Sequence, residues 1–306
     1  MSHTKNLKIL FSLFIILSSC SINKMAVRAV SDSFSEGGEE IFSRDDDPEL
    51  VKDALPLLLK VNEILIEKDP DNFVLKASAG KLFIIYSNLF IHTPADMLDY
   101  TDWKKQSEMY LRAKKMYLRG SNYLKEALET EHDITIDLSD RKTIDCDFKK
   151  DDADILYWLG GGLMSAVSID ITDPVMASVR NTAMQLMFDA YELDPDYGKG
   201  ALHEYFLRYY ASLPPGMGGS DEKAEYHYSK AVELSDGSRI SPFISYAVSL
   251  SIKKQTSEGL AEFKNMLENA LNMNIDDYPD NRLENIIMKQ KAQWLLDNVD
   301  NYFLID

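Results

Sequence analysis

Cysteine is almost missing from this chain. Cys20 and Cys146 are the two it has, too few for a cysteine-built metal site and enough for one internal disulfide at most. Histidine is scarce as well. His92, His132, His203 and His227 fall in different predicted elements, and none stands in a His-x-x-x-His or Glu-x-x-His spacing that would set two ligands on one helical face. No Gly-x-Ser-x-Gly elbow occurs, and Cys146 reads as a residue of a charged loop without a nearby histidine. His203 and Glu204 are consecutive in "LHEYF", and consecutive helical residues point in different directions, which argues against an acid and base pair. These absences predict a protein that is not an enzyme and carries no cofactor. Basic residues are outnumbered by acidic ones, 33 to 50, for a formal net charge of -17, a balance that repels nucleic acid and anionic lipid headgroups. Hydrophobic residues make up 45 %, ample for a packed core, so the acidity belongs to a folded surface and not to a disordered chain.

What is present begins with a leader. "MSHTKNLKILFSLFIILSSC" sets Lys5 and Lys8 before an apolar run from Ile9 to Leu17 and small residues before Cys20. The run is far shorter than the roughly 20 residues of a membrane span, and the three-part plan is that of a cleaved signal peptide. "LSSC" resembles the lipobox of bacterial lipoproteins, in which the cysteine is acylated and becomes the first residue of the mature chain. Residues 1–19 are therefore expected to be a lipoprotein signal, 20–46 a tether from acylated Cys20, and 47–306 the folded domain. Ser21, where such signals carry Asp for inner-membrane retention, implies an outer-membrane destination. With Cys20 acylated, Cys146 has no partner for a disulfide.

Beyond the tether the pattern is helical throughout, and no strand-type alternation stands out. Asp47 and Pro48 form an N-cap followed by proline at the first helical position. Leu50, Ala54, Leu57, Leu58, Val61, Ile64 and Leu65 then share one helical face, with Pro56 expected to kink it. A second helix starts at about Phe73, after the turn "DPDN". A small–large–Ala spacing then recurs at Gly120, Leu124, Ala127, at Ala183, Met187, Ala190 and at Ala224, Tyr228, Ala231, with a looser copy at Phe263, Leu267, Ala270. It resembles the second helix of a tetratricopeptide repeat: the small residue lets one helix of a hairpin sit close to its partner, and the large one fills the groove. First helices are predicted over roughly 73–92, 153–169, 197–212 and 241–252. The expected fold is all-α, a tetratricopeptide-like array of four helical hairpins with flanking helices from Pro48 and from about Asn281. The irregular stretch 132–152 reads as a surface insertion.

The glycine-rich turn "PPGMGGSDEK" at 214–223 invites comparison with a phosphate-binding loop. Such a loop requires a lysine and a hydroxyl directly after its last glycine. Here Ser220, Asp221 and Glu222 follow, and two carboxylates in a first helical turn suit the helix dipole but repel phosphate. The turn is predicted to be a hairpin bend, with Ser220 capping the next helix.

Together "LYWLGGGLMSAVS", "LDPDYGKGALHEYF" and "PPGMGGSDEKAEYHYSKAVELSDGSRISPFISYA" resemble the T component of periplasmic TRAP transporters, the TatT family of helical lipoproteins, over about Phe42 to Tyr302. Its most specific pieces are Gly200 to His203, Gly218 to Ala224 and Tyr157 to Gly160. Ser220 and Asp221 replace the family's frequent Asp-Pro, with capping ability kept. Gly161 and Gly162 replace its usual small residues and are expected to widen or loosen that helix contact. The resemblance implies a lipid-anchored periplasmic protein that associates with a substrate-binding P component, and a trimer with a central pore and a lateral apolar cleft.

Two constellations mark candidate surfaces. Lys105, Arg112, Lys115 and Arg119 stack four cations on one side of a helix, either a solvated face or a partner-binding site. Tyr157, Trp158, Tyr205 and Tyr209 lie in neighbouring first helices, which line the concave surface of such arrays, and are expected either to fill the core or to bind a small apolar or amphipathic ligand. The functional expectation is an accessory component of a TRAP-type uptake system that binds the P-type solute receptor; the alternative is a scaffold for outer-membrane or envelope assembly.

Overall fold

The computed structural model describes residues 40–144 and 146–305; Cys20, the leader and most of the tether lie outside them. The described residues are all-α, with no strand among them. We label the helices α1 (Pro48–Lys68), α2 (Phe73–Asp96), α3 (Trp103–His132), α4 (Ala153–Ile169), α5 (Pro174–Leu193), α6 (Tyr197–Ser212), α7 (Asp221–Leu234), α8 (residues 241–254), α9 (Ser257–Asn272) and α10 (Arg282–Asp297). Local chemistry sets their starts. Asp47 accepts from the Glu49 and Leu50 amides, Asn72 from Leu75, Asp173 from Val175, Ser220 from Lys223 and Thr256 from Gly259, so the first-turn donors that a helix leaves orphaned are met by side chains. Helix α2 is long and apolar enough to cross a membrane, yet 67 % of that stretch is buried inside the fold, which marks a core helix.

Consecutive helices pack as pairs: α2 with α3, α4 with α5, α6 with α7, and α8 with α9. In the first two pairs a glycine of one helix meets a small residue of the other, and in the third the glycine is Gly200, left-handed at φ 90° in the kink that opens α6. A Cβ on Gly80 would lie 2.8 Å from the Gly120 carbonyl, one on Gly160 3.0 Å from the Ala183 carbonyl, and one on Gly200 2.9 Å from the Ala231 Cα. In the first two pairs backbones touch at the small residue of the repeat, Gly120 and Ala183, whereas in the third they touch at Ala231 and not at Ala224; any larger side chain at these contacts would force the elements apart. In the fourth pair Phe263 occupies that place and is buried; the close approach moves to Gly259, whose Cβ would lie 2.9 Å from the Ser251 carbonyl. The expected loosening at Gly161 and Gly162 does not occur. Gly161 faces open space, and Gly162 is pressed on Ile84 and Ser121, so the second glycine tightens α4 against the first pair.

Helix α1 departs from the sequence reading. Val51, Leu55, Leu59, Asn62 and Ile66 are buried, while Leu50, Leu57 and Ile64 stand 59, 71 and 57 % exposed. The helix is apolar on two faces, and only packing against α2 selects the one that is buried. It runs through Pro56 as a single helix. The stretch 133–152 is also more than a surface insertion, since Ile136 and Ile144 are buried in the main core. The first and last labelled helices meet: α1 packs against α10, Arg44 pairs with Asp280 at 2.8 Å, and Lys291 of α10 pairs with Asp96 at the end of α2 at 2.8 Å.

Candidate functional site

Where the two ends approach, a cavity of about 710 Å³ opens between the end of α2, the start of α3, and α6, α8, α10 and the C-terminal segment. Two helices change pitch beside it. Residues Asn88–His92 of α2 and Ala247–Ser251 of α8 are π-helical, a local widening frequent at functional sites, and Val248 and Ser249 of the second segment line the cavity. Tyr110, Trp294 and Tyr302 give it aromatic walls, and Arg208 and Lys291 give it cations. Asp96 accepts from the Tyr110 hydroxyl at 3.0 Å and from Lys291; burial and that carboxylate push the Tyr110 phenol up. Lys291 is thus neutralised, whereas Arg208 makes no ion pair at contact distance among the described residues. None of these cavity residues stood out in the sequence, because they come together across up to 195 positions.

One helical turn before Arg208, Glu204 is buried and accepts from Ser241 at 2.7 Å, Ser245 at 2.8 Å and Arg239 at 3.1 Å. Burial would raise this carboxyl, but Arg239, Arg208 and the two hydroxyls outweigh it and hold it below the usual range. Arg239 also reaches Glu284 of α10 at 3.3 Å. Glu204 therefore ties α6 to α8 and α10, and His203 points away from it, as the helical geometry required.

The four aromatic candidates form two pairs. Tyr157 packs edge-on against Trp158 at 5.5 Å, and Tyr205 stacks with Tyr209 at 6.2 Å; no ring contact joins one pair to the other. All four are half-buried against the main core, and none lines the 710 Å³ cavity. Burial pushes both the Tyr157 and Tyr205 phenols up, and the Tyr205 hydroxyl is buried without a hydrogen-bond partner.

The four cations of α3 are all exposed, but two are engaged. Arg112 lies 5.9 Å from the centre of the Tyr86 ring, and Arg119 lies 5.1 Å from that of Phe83 while pairing with Glu63 of α1. Lys105 and Lys115 make no ion pair among the described residues.

A family model described as TRAP transporter T-component matches residues 44–303. The chain belongs to that family. It is similar to an uncharacterized protein of Treponema pallidum (strain Nichols), 29 % identical over 313 residues that cover 96 % of each chain. Membership in the T-component family makes it an accessory of a membrane transport system, with a periplasmic or membrane-associated location, in a family of transport components and not of enzymes.

Two features of this T-component escaped the sequence reading. His203 of α6 and His227 of α7 meet, with Nδ1 atoms 2.8 Å apart, inside a box of Tyr191, Phe206, Tyr210 and Tyr226. Burial, the neighbouring His203 and Lys223 push His227 down to about 4, and burial lowers His203 as well, so both imidazoles are neutral and one donates to the other. Cys146, expected to lie far from any histidine, has its Sγ 3.4 Å from Nδ1 of His132. The chain after Asp133 brings Cys146 back to the end of α3 and makes neighbours of residues that the sequence separates by 14 positions.

Proposed function

We propose that this protein is a lipid-anchored periplasmic accessory component of a TRAP-type uptake system, which docks a P-type solute receptor and takes up a small amphipathic ligand. Family membership over residues 44–303 is the observation that carries the reading. Acylation of Cys20 and an outer-membrane destination are the anchoring it implies, resting on "LSSC" and Ser21.

Docking is supported by the α3 stripe. With Arg112 and Arg119 held on the Tyr86 and Phe83 rings, Lys105 and Lys115 are the cations free for a partner. Rim charges act mainly on the association rate and are screened by salt. Lys105→Glu with Lys115→Glu is expected to slow association with the P-type receptor about tenfold at low salt, roughly 1.4 kcal/mol in activation free energy, with the gap narrowing as salt rises. An unchanged rate in the folded double variant, followed by surface plasmon resonance, would leave the stripe as a solvated face.

Ligand binding is supported by the cavity walled by Tyr110, Trp294 and Tyr302, with Arg208 unpaired at its edge. The aromatic pairs Tyr157 with Trp158 and Tyr205 with Tyr209 are a second surface of the same kind, which Trp158→Ala tests against Trp294→Ala. Self-association as a homotrimer is supported by α1, where Leu50, Ala54, Leu57, Val61 and Ile64 recur at alternating spacings of four and three, the period of a helix that packs against another along a narrow seam. Leu57→Glu is expected to dissociate the assembly in sedimentation velocity runs.

A further inference from the structure

We propose that Cys146, His132 and Asp152 form a base-activated thiol that exchanges with small disulfide molecules. The three residues come from both ends of the stretch between α3 and α4. His132 is the last residue of the 30-residue α3, where Asp133 ends the helix in a left-handed conformation with φ 52°. The chain then returns, anchored by buried Ile136 and Ile144, and brings half-buried Cys146 back to the imidazole. Phe148 packs edge-on to that ring at 5.3 Å. On the far side Nε2 of His132 lies 2.9 Å from Oδ1 of Asp152. The other oxygen of Asp152 accepts the Lys149 amide at 2.7 Å, so the carboxylate is fixed at both ends.

The arrangement dictates the tautomer. A carboxylate can only accept, so Nε2 carries the proton, and the lone pair of Nδ1 faces the sulfur. Nδ1 is then placed to take the thiol proton. The imidazolium that results is stabilised by Asp152 and by the carbonyl end of α3. Nucleophile, base and a third group that orients the base are the parts an activated nucleophile requires; Cys146 is the nucleophile, His132 the base, and Asp152 a positioning residue. A purely structural tie between loop and helix would need only the His132 to Asp152 bond, not a thiol at the opposite ring nitrogen. Sulfur and carboxylate sit at opposite nitrogens and share no metal, in keeping with the absence of a three-ligand group among the described residues.

The chemistry that fits is thiol–disulfide exchange. The 710 Å³ cavity is lined by none of the three residues, and exchange requires only an accessible sulfur and its base. The Cys146 sulfur attacks one sulfur of R–S–S–R. The old S–S bond breaks, a mixed disulfide forms on Cys146, and the departing thiolate R–S⁻ takes the proton held at Nδ1. Cys146 is oxidised, and one half of the small disulfide is reduced to R–SH.

Oxidised glutathione is the probe, with the mature chain carrying Cys20→Ser so that Cys146 is its single thiol, and with intact-mass spectrometry following adduct growth. His132→Gln keeps a hydrogen-bonding side chain in the loop but no base, and is expected to slow adduct formation at least tenfold, a threshold set below the roughly hundredfold low end for removing a general base. His132→Ala is expected to be similarly slow and to recover when imidazole is added. Asp152→Asn should slow the reaction less, and Asp152→Glu should restore it. An His132→Gln variant that reacts as fast as the parent or faster, or an His132→Ala variant deaf to imidazole, would overturn the proposal and leave the cluster as a loop tie.

Discussion

Two histidine sites in this protein use the same side chain for opposite ends. At the meeting of α6 and α7, His203 and His227 are buried in an aromatic box and face each other. Neither has a carboxylate in contact, so both stay neutral and the pair acts as a hydrogen-bonded peg in the core. At the end of α3, His132 faces a carboxylate on one nitrogen and a thiol on the other. The difference teaches that an imidazole's task is set by what its two nitrogens meet, and in both sites the partner comes from another segment of the chain.

The largest effect that should separate the two sites is steric and electrostatic. His227→Glu buries an unpaired charge in the aromatic box and is expected to cost about 3–5 kcal/mol of stability. His132→Gln is expected to cost less, about 1–2 kcal/mol, since its two part-buried contacts, with Asp152 and Cys146, are altered but no charge is buried unpaired. Urea unfolding followed by circular dichroism measures both, and equal losses would erase the distinction.

Next in size is pH. His203 and His227 have pKa values below their ordinary 6.5, His227 reaching about 4, so the unfolded chain takes up protons at these positions before the folded one does. Their contribution to stability is full above pH 6.5 and is lost as pH falls toward 4. Unfolding free energies measured across that window should fall with acidity in the parent and fall less in a His203→Phe, His227→Phe variant, whose rings still fill the box. A parallel slope in both would show that the pair is not the acid-sensitive element.

The smallest expected effect sharpens the contrast between sites that carry stability and surfaces that do not. Lys105→Glu with Lys115→Glu removes cations that make no ion pair among the described residues, and such exposed changes shift stability by only about 0.5 kcal/mol either way. A loss beyond 1 kcal/mol in thermal denaturation would mean that these lysines serve the fold, not a partner.

Much of the architecture was legible because helices are local objects. Asp47 and Ser220 announced helix starts, the turn at 214–223 was told from a phosphate loop by its carboxylates, and the recurring small residues at Gly120 and Ala183 mark places where backbones touch, whereas the third contact falls on Ala231 and not on Ala224. Spacing could not choose the buried face of α1, since two of its faces are apolar. The aromatic candidates were legible as residues but not as a site: Tyr157 and Trp158 meet each other, while the cavity took its walls from Tyr110, Trp294 and Tyr302.

By itself the sequence determined the all-α class, several of the helix starts and the acidic charge balance, because capping, periodicity and charge act within a turn or two of their own residues. The tertiary structure alone decided the cavity between α2, α3, α6, α8 and α10, the neutral pair of His203 and His227, and the approach of Cys146 to His132. Each depends on how the helices cross as they pack and on where a loop returns, and those are set by contacts summed over the whole fold.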